Sequence, residues 1–233
     1  MDYSCYGRLC GRANLYDLFL EHFFKKQGDS FMRSTVLVAL CFFITLSAGL
    51  TQQAYAQIER YHFDKAHTQI LFFVDHLGFS KSQGEFHDYE GFFEFNRGEP
   101  EKSKVEVRIF TDSIDMDDAA WDDHMRNEDF FNVKKFPEML FKSTYIEVTG
   151  DNTANIHGDM TILGVTKPII LSTVHNKSDK HPFSGKFVAG LSARTVIDRE
   201  IFGMTYGLPF IGQNIDVQIE VEGIRKGGDV VNP

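Results

Sequence analysis

A chain of 233 residues with a formal net charge of −9 has room for one barrel or sandwich domain. Its acidic balance sets it against phosphate backbones and anionic headgroups, so nucleic acid is a poor partner. The three cysteines, Cys5, Cys10 and Cys41, all fall near the N-terminus.

The first 56 residues stand apart from the rest. Thr35 to Leu50 form an apolar run, preceded by Arg33 with Lys25 and Lys26 further upstream, and Ala54-Tyr55-Ala56 follows as a small-x-small site. Positive flank, apolar segment and cleavage site predict a secretory signal cut after Ala56. The run is shorter than the roughly 20 apolar residues that span a bilayer, which argues against an anchor. An ordinary signal starts at Met32, so residues 1–31 read as an upstream extension. Every cysteine precedes the expected cut, so the mature chain has no thiol for disulfides, thiolate catalysis or Cys-ligated zinc. Residues 1–56 hold five basic and four acidic residues, leaving 19 Lys+Arg against 29 Asp+Glu, or −10, after the cut.

From Gln57 the dominant pattern has period 2, the mark of strands with one buried face. Predicted strands in chain order are Thr68–His76, Glu85–Asn96, Lys104–Ile109, Met139–Val148, Asn155–Leu163, Ile169–His175, Gly185–Ile197 and Ile215–Glu222. Turn-rich pieces separate them, among them Asn96-Arg97-Gly98, Thr149–Asn152 and Lys177-Ser178-Asp179. Asp115–Arg126 reads as a helix capped by Asp115, and Asn127–Asn132 as a further short helical turn. Gly227-Gly228 reads as a frayed tail. The expected fold is all-β: an extended eight-stranded antiparallel barrel over residues 57–233 with one short helical insertion. Each clear strand has one apolar and one charged face, the reverse of a membrane barrel's lipid-facing wall, so stable membrane insertion of the mature chain is not expected.

The inward face is rich in large groups. Ile70, Phe72, Val74 and His76 share one side of a strand, with Phe86, then Met139 and Phe141, then Ile156, Met160 and Ile162, on later ones. Eight strands make a lumen wide enough either for packed side chains or for one small ligand. Gly158, Gly164, Ala189 and Gly190 leave room inside, but composition does not choose between a filled and a hollow barrel.

Four blocks carry a resemblance. His67-x-x-Ile70-x-Phe72-x-Val74-x-His76-Leu77-Gly78-Phe79-Ser80 precedes Gly84-x-Phe86. Asp123-His124-Met125-Arg126-Asn127-x-Asp129-Phe130-Phe131 continues through Phe136-Pro137-x-Met139-x-Phe141-x-Ser143. Gly158-x-Met160-Thr161-Ile162-x-Gly164-Val165-Thr166-Lys167-Pro168 and Ile197-Asp198-Arg199-x-x-Phe202-Gly203-Met204, with the closing strand, complete the set. In this order the blocks resemble the YceI-like family, departing from it at Glu200-Ile201. The resemblance implies a lipocalin-like barrel that holds a polyisoprenoid, isoprenoid quinone or fatty amide in the periplasm and does no chemistry on it. The expected ligand-binding residues are Ile70, Phe72, Val74, His76, Phe79 and Phe86 on the first strand pair, and Trp121 and Phe130 around the insertion. Met139, Phe141, Met160 and Ile162 follow on the later strands, and Arg199, Phe202 and Met204 near the closing strand. No cofactor beyond the bound lipid is expected, and a homodimer is expected only by analogy.

Polar candidates are few. His76 ends an otherwise apolar inward row and serves either a backbone carbonyl or a ligand headgroup. Arg199 organises its loop or meets that headgroup. No H-E-x-x-H or comparable close histidine pair supports zinc, and no G-x-S-x-G supports hydrolysis. The aspartates from Asp112 to Asp123 lack the EF-hand glycine and terminal Glu and read as a solvated helix start. Two rivals remain open: a lipid-modifying enzyme using His76 and Arg199, and an envelope interaction module with a filled barrel.

Overall fold

A computed structural model describes residues 58–231, with side chains through Lys226. The expected signal segment, the upstream extension and the three cysteines lie outside the described residues. Strands run at Ile58–Phe63 (β1), Gln69–His76 (β2), Ser80–Phe86 (β3), Tyr89–Asn96 (β4), Lys104–Phe110 (β5), Ile114–Asp115 (β6) and Glu138–Val148 (β7). Thr153–Ile162 (β8), Val165–Lys180 (β9), Phe187–Asp198 (β10) and Ile211–Val231 (β11) follow, and Ala119–Arg126 forms the helix α1 between β6 and β7.

The pairing resolves these strands into eight staves. β2 pairs β3 while β1 pairs β4, so β1 and β2 are two halves of one stave broken over residues 64–68, and β3 and β4 are halves of the next, broken at His87-Asp88. β4 pairs β5 and β3 pairs β6, making a third broken stave with a 3-10 turn at Thr111–Ser113. β5, β7, β8, β9, β10 and β11 then pair in sequence, and β11 returns to both halves of the first stave. The result is a closed antiparallel meander, which leaves no free edge along the ring. Among the described residues no helix is long and apolar enough to cross a membrane.

Alternation decides what faces in. In β8, Ile156, Gly158, Met160 and Ile162 are buried while Asp159 is exposed. The two-residue loop Leu163-Gly164 joins β8 to β9 with φ of 50° and 75°, and Leu77-Gly78 turns β2 into β3 at 59° and 73°. Both positive angles suit the right-handed twist of a hairpin.

Several expectations need correction. The helix starts later than Asp115: Asp118 is its cap, accepting from the Ala120 and Trp121 amides at 3.0 Å each. Asp115 instead accepts from the Asp117 amide at 2.8 Å and belongs to β6. Asn127–Asn132 is a string of turns, with Asn127 Oδ1 accepting from the Asp129 amide at 2.8 Å, and it drives Phe130 and Phe131 inward. Lys177–Asp179 is not a turn but part of β9, paired with β10. Gly227-Gly228 lies inside β11, whose far end pairs β1 up to Ile58 and Val231.

Candidate functional site

The lumen is hollow. A cavity of about 340 Å³ opens at the end that carries α1, and a second of about 100 Å³ lies deeper in the barrel. Ile70, Ile109, Met160, Ile197 and Val217 line both, forming a waist between an outer and an inner chamber. Large side chains leave this space because several are paired with glycine: a Cβ on Gly84 would sit 2.3 Å from the Phe72 ring.

Most expected ligand residues line the outer chamber. Ile70, Phe72, Val74, His76 and Phe86 come from the first strand pair, and Trp121 and Phe130 from the insertion. Met139, Met160 and Ile162 supply one wall, and Arg199, Phe202 and Met204 another. Phe141 lines the inner chamber. Phe79 is a correction: it follows the Leu77-Gly78 turn, which carries it out of the inward row, and at 89% exposure it lines neither chamber. It stands on the rim with Leu77 and Phe210, also exposed, where the Leu77 amide donates to the Phe210 carbonyl at 3.1 Å.

Residues that sequence reasoning did not place on the ligand also line the outer chamber. Ile197, Ile215 and Val217 sat in the alternation and were readable as inward, and Met116 was placed on the helix but precedes it. Tyr206 carried no periodic signal. It forms an edge-on trio with His124 and Phe130, ring centroids 5.1 and 5.2 Å away, beside the mouth.

The polar groups of the outer chamber are sparse. The His76 ring lies 5.8 Å from Trp121, which is 45% exposed and so spans chamber and solvent. Arg199 is 3% exposed and donates to three backbone carbonyls: Gly212 from Nε at 2.8 Å, and Met204 and Ile211 from the two Nη atoms at 3.0 Å. Burial pulls its pKa below the usual value, partly offset by Glu200. These bonds make it the clamp of the 199–212 segment.

Opposite the mouth the barrel is shut. Tyr61, fully buried, stacks on Phe93 at 5.1 Å with 10° between planes. Its hydroxyl donates to Glu59 at 2.8 Å, and Glu59 also accepts from Arg97 at 2.9 Å and from Arg225. Burial first, then the Glu59 hydrogen bond, push the Tyr61 phenol up. The His175 ring lies 5.2 Å from that of Phe95 nearby, tilted by 34°, and its pKa is lowered by burial and then by Arg97.

Among the described residues two outer groupings combine histidine with carboxylates: Asp64, His67 and Glu222, and Glu85, His87 and Asp115. Each holds a single histidine, so histidine spacing in the sequence gives no sign of them. Each contains a hydrogen-bonded His–Asp pair at 2.9 Å, which accounts for the geometry, and none of these residues lines a chamber.

The model of the YceI-like domain matches residues 61–223. The chain belongs to the YceI-like family. Among its curated YceI-like relatives, UPF0312 proteins of Azotobacter vinelandii and Pseudomonas savastanoi are 36% and 35% identical over 185 residues, 78% of this chain and 95–96% of theirs. The solved Campylobacter jejuni YCEI protein is similar at 30% identity and TM-score 0.58, over 65% of this chain and 90% of that one. Burkholderia cenocepacia BcnA shares the fold at TM-score 0.63 and 17% identity, over 69% and 98%. A polyisoprenoid binding domain from Saccharophagus degradans shares it at 0.57 and 10%, over 72% and 99%.

Proposed function

We propose that this YceI-like protein holds one long apolar lipid (a polyisoprenoid, an isoprenoid quinone or a fatty amide) and carries or sequesters it without chemical change. The observation that carries the reading is the pair of apolar chambers that share a ring of lining residues inside a closed barrel. Each buried methylene contributes about 0.8 kcal/mol, so a long tail in such a lumen needs few polar contacts. The Saccharophagus degradans domain with the same fold is described as polyisoprenoid binding, which is consistent with that use of the lumen. The exposed Phe79, Phe210 and Leu77 on the rim suit loading from a lipid phase. Arg199 gives its hydrogen bonds to the carbonyls of Met204, Ile211 and Gly212, which fits a binder better than a catalyst built on that residue. The expected signal ahead of an acidic, thiol-free mature sequence supports a periplasmic setting for this reading.

The test is native mass spectrometry of the exported protein purified without detergent, followed by organic extraction. A stoichiometric isoprenoid, quinone or fatty amide is the expected result. A clean unliganded mass that does not change on incubation with prenyl lipids overturns the proposal.

A further inference from the structure

Strand β11 runs the length of the lumen as a ruler. Ile211 and Ile215 line the outer chamber, Val217 lines the waist, and Ile219 and Val221 line the inner chamber. Two residues on, Gly223 has no side chain, and a Cβ there would lie 2.5 Å from the Phe93 ring and 2.8 Å from the Tyr61 Cβ. The lumen therefore ends at these two rings. Phe93 lines the inner chamber and Tyr61 does not, so Phe93 is the surface a ligand meets and Tyr61 lies behind it. Tyr61 is held in turn by Glu59, which Arg97, just past the end of β4, and Arg225 of β11 grip.

Such a plate cannot yield as an apolar side chain at a flexible mouth can. Opening it would separate a stacked pair and strip a buried carboxylate of its partners, which costs several kcal/mol. From Ile211 to Gly223 the strand rises about 3.4 Å per residue at a tilt of about 40°, less the two residues taken up by the bulge between Ile211 and Ile215, so the lumen is about 25 Å deep.

We infer that the Phe93–Tyr61 plate is a fixed floor that sets the longest tail the barrel accepts whole, so that the cargo is a lipid of bounded chain length. The inference rests on the lipid-binding reading. Below the limit each added methylene tightens binding about four-fold, and beyond it the added length stays outside and gains nothing.

Trp121 lines the outer chamber and is the only tryptophan of the chain, so its fluorescence reports occupancy. The experiment titrates a graded series of all-trans prenyl alcohols, from geraniol upward, and finds the length at which affinity stops rising. Phe93→Ala deepens the inner chamber and is expected to move that break to a longer alcohol, with at least about a four-fold gain for the first alcohol past the wild-type break. Ala193→Leu fills the inner chamber it lines and is expected to move the break to a shorter one. Tyr61→Phe keeps the ring stack and is expected to leave the break in place. The opposite shifts separate a floor from mere loss of stability, since both substitutions weaken a core but only one lengthens the accepted tail. A break that stays put in both variants overturns the floor and leaves the lipid reading standing. Failure of every prenyl alcohol to change Trp121 fluorescence in the wild type overturns the lipid reading, and the floor with it.

Discussion

Arg199 shows how one side chain can look like a ligand contact and act as scaffolding. It lines the outer chamber, yet its guanidinium forks onto three carbonyls of the segment that closes the barrel. Arg199→Ala leaves those carbonyls unpaired and is expected to cost about 2–4 kcal/mol, read from the denaturant midpoint. Arg199→Lys does not restore it, because one ammonium cannot reach three acceptors in a fork; full recovery by lysine would contradict the clamp. His87 makes a different kind of statement. Its hydrogen bond to Asp115 lifts the imidazole above 6.5 and holds the carboxyl below 3.8. The histidine's share of stability is complete below 6.5 and fades as pH rises through its raised value; the carboxylate's share is present above 3.8 and fades as pH falls through its lowered value. His87→Gln therefore opens a Tm deficit between about pH 4 and 6.5 that closes on the alkaline side. The deficit is small because the pair is largely exposed. A deficit that grows with pH would count against the assignment.

At the scale of elements, what was legible depended on whether a strand wore the ordinary pattern. β5 and β8 alternate apolar and polar residues and were read correctly, as was most of β10. Of β3 only the end at Glu85 and Phe86 was read, because the inward residues before it are Ser82 and Gly84: a hollow lumen needs small groups where Phe72 leans across, and small groups erase the period. β1 escaped because its inward Glu59 is charged and its outward Ile58 is not, an inversion made tolerable by the Tyr61 hydroxyl and by two arginines far away in sequence, Arg97 and Arg225. No local pattern announces partners more than thirty residues away. The helix start was misplaced among a run of aspartates that all make plausible caps, and only geometry selects Asp118. Asp118→Ala removes both cap bonds and is expected to cost about 1 kcal/mol. Because α1 carries Trp121 and His124 to the mouth, hydrogen exchange of the Ala120 and Trp121 amides speeds up while that of β8 and β9 does not. Unchanged exchange at those amides would show that the helix is held by packing alone.

At the scale of the whole molecule, the sequence left open whether the barrel is filled or hollow, since packing density depends on which side chains meet across the lumen. Ile70 and Met160 look like core residues in either case, and they turn out to line both chambers. The same geometry makes stability and binding separable. A core side chain enlarged in a packed protein overpacks and typically costs 1–3 kcal/mol, but one enlarged into empty space need not. Val217 lines the waist and borders both chambers. Val217→Phe is therefore expected to leave Tm within about 3 °C of the wild type while cutting the recovered lipid at least ten-fold, because a tail must pass the waist to bury its length. Melting curves and lipid extraction of the same preparation read both effects. Intact lipid loading in a well-folded Val217→Phe protein would mean that the ligand stops in the outer chamber, and a collapse of Tm would mean that the waist is already packed in solution. Loss of lipid with the fold intact is what a barrel built around its cargo requires.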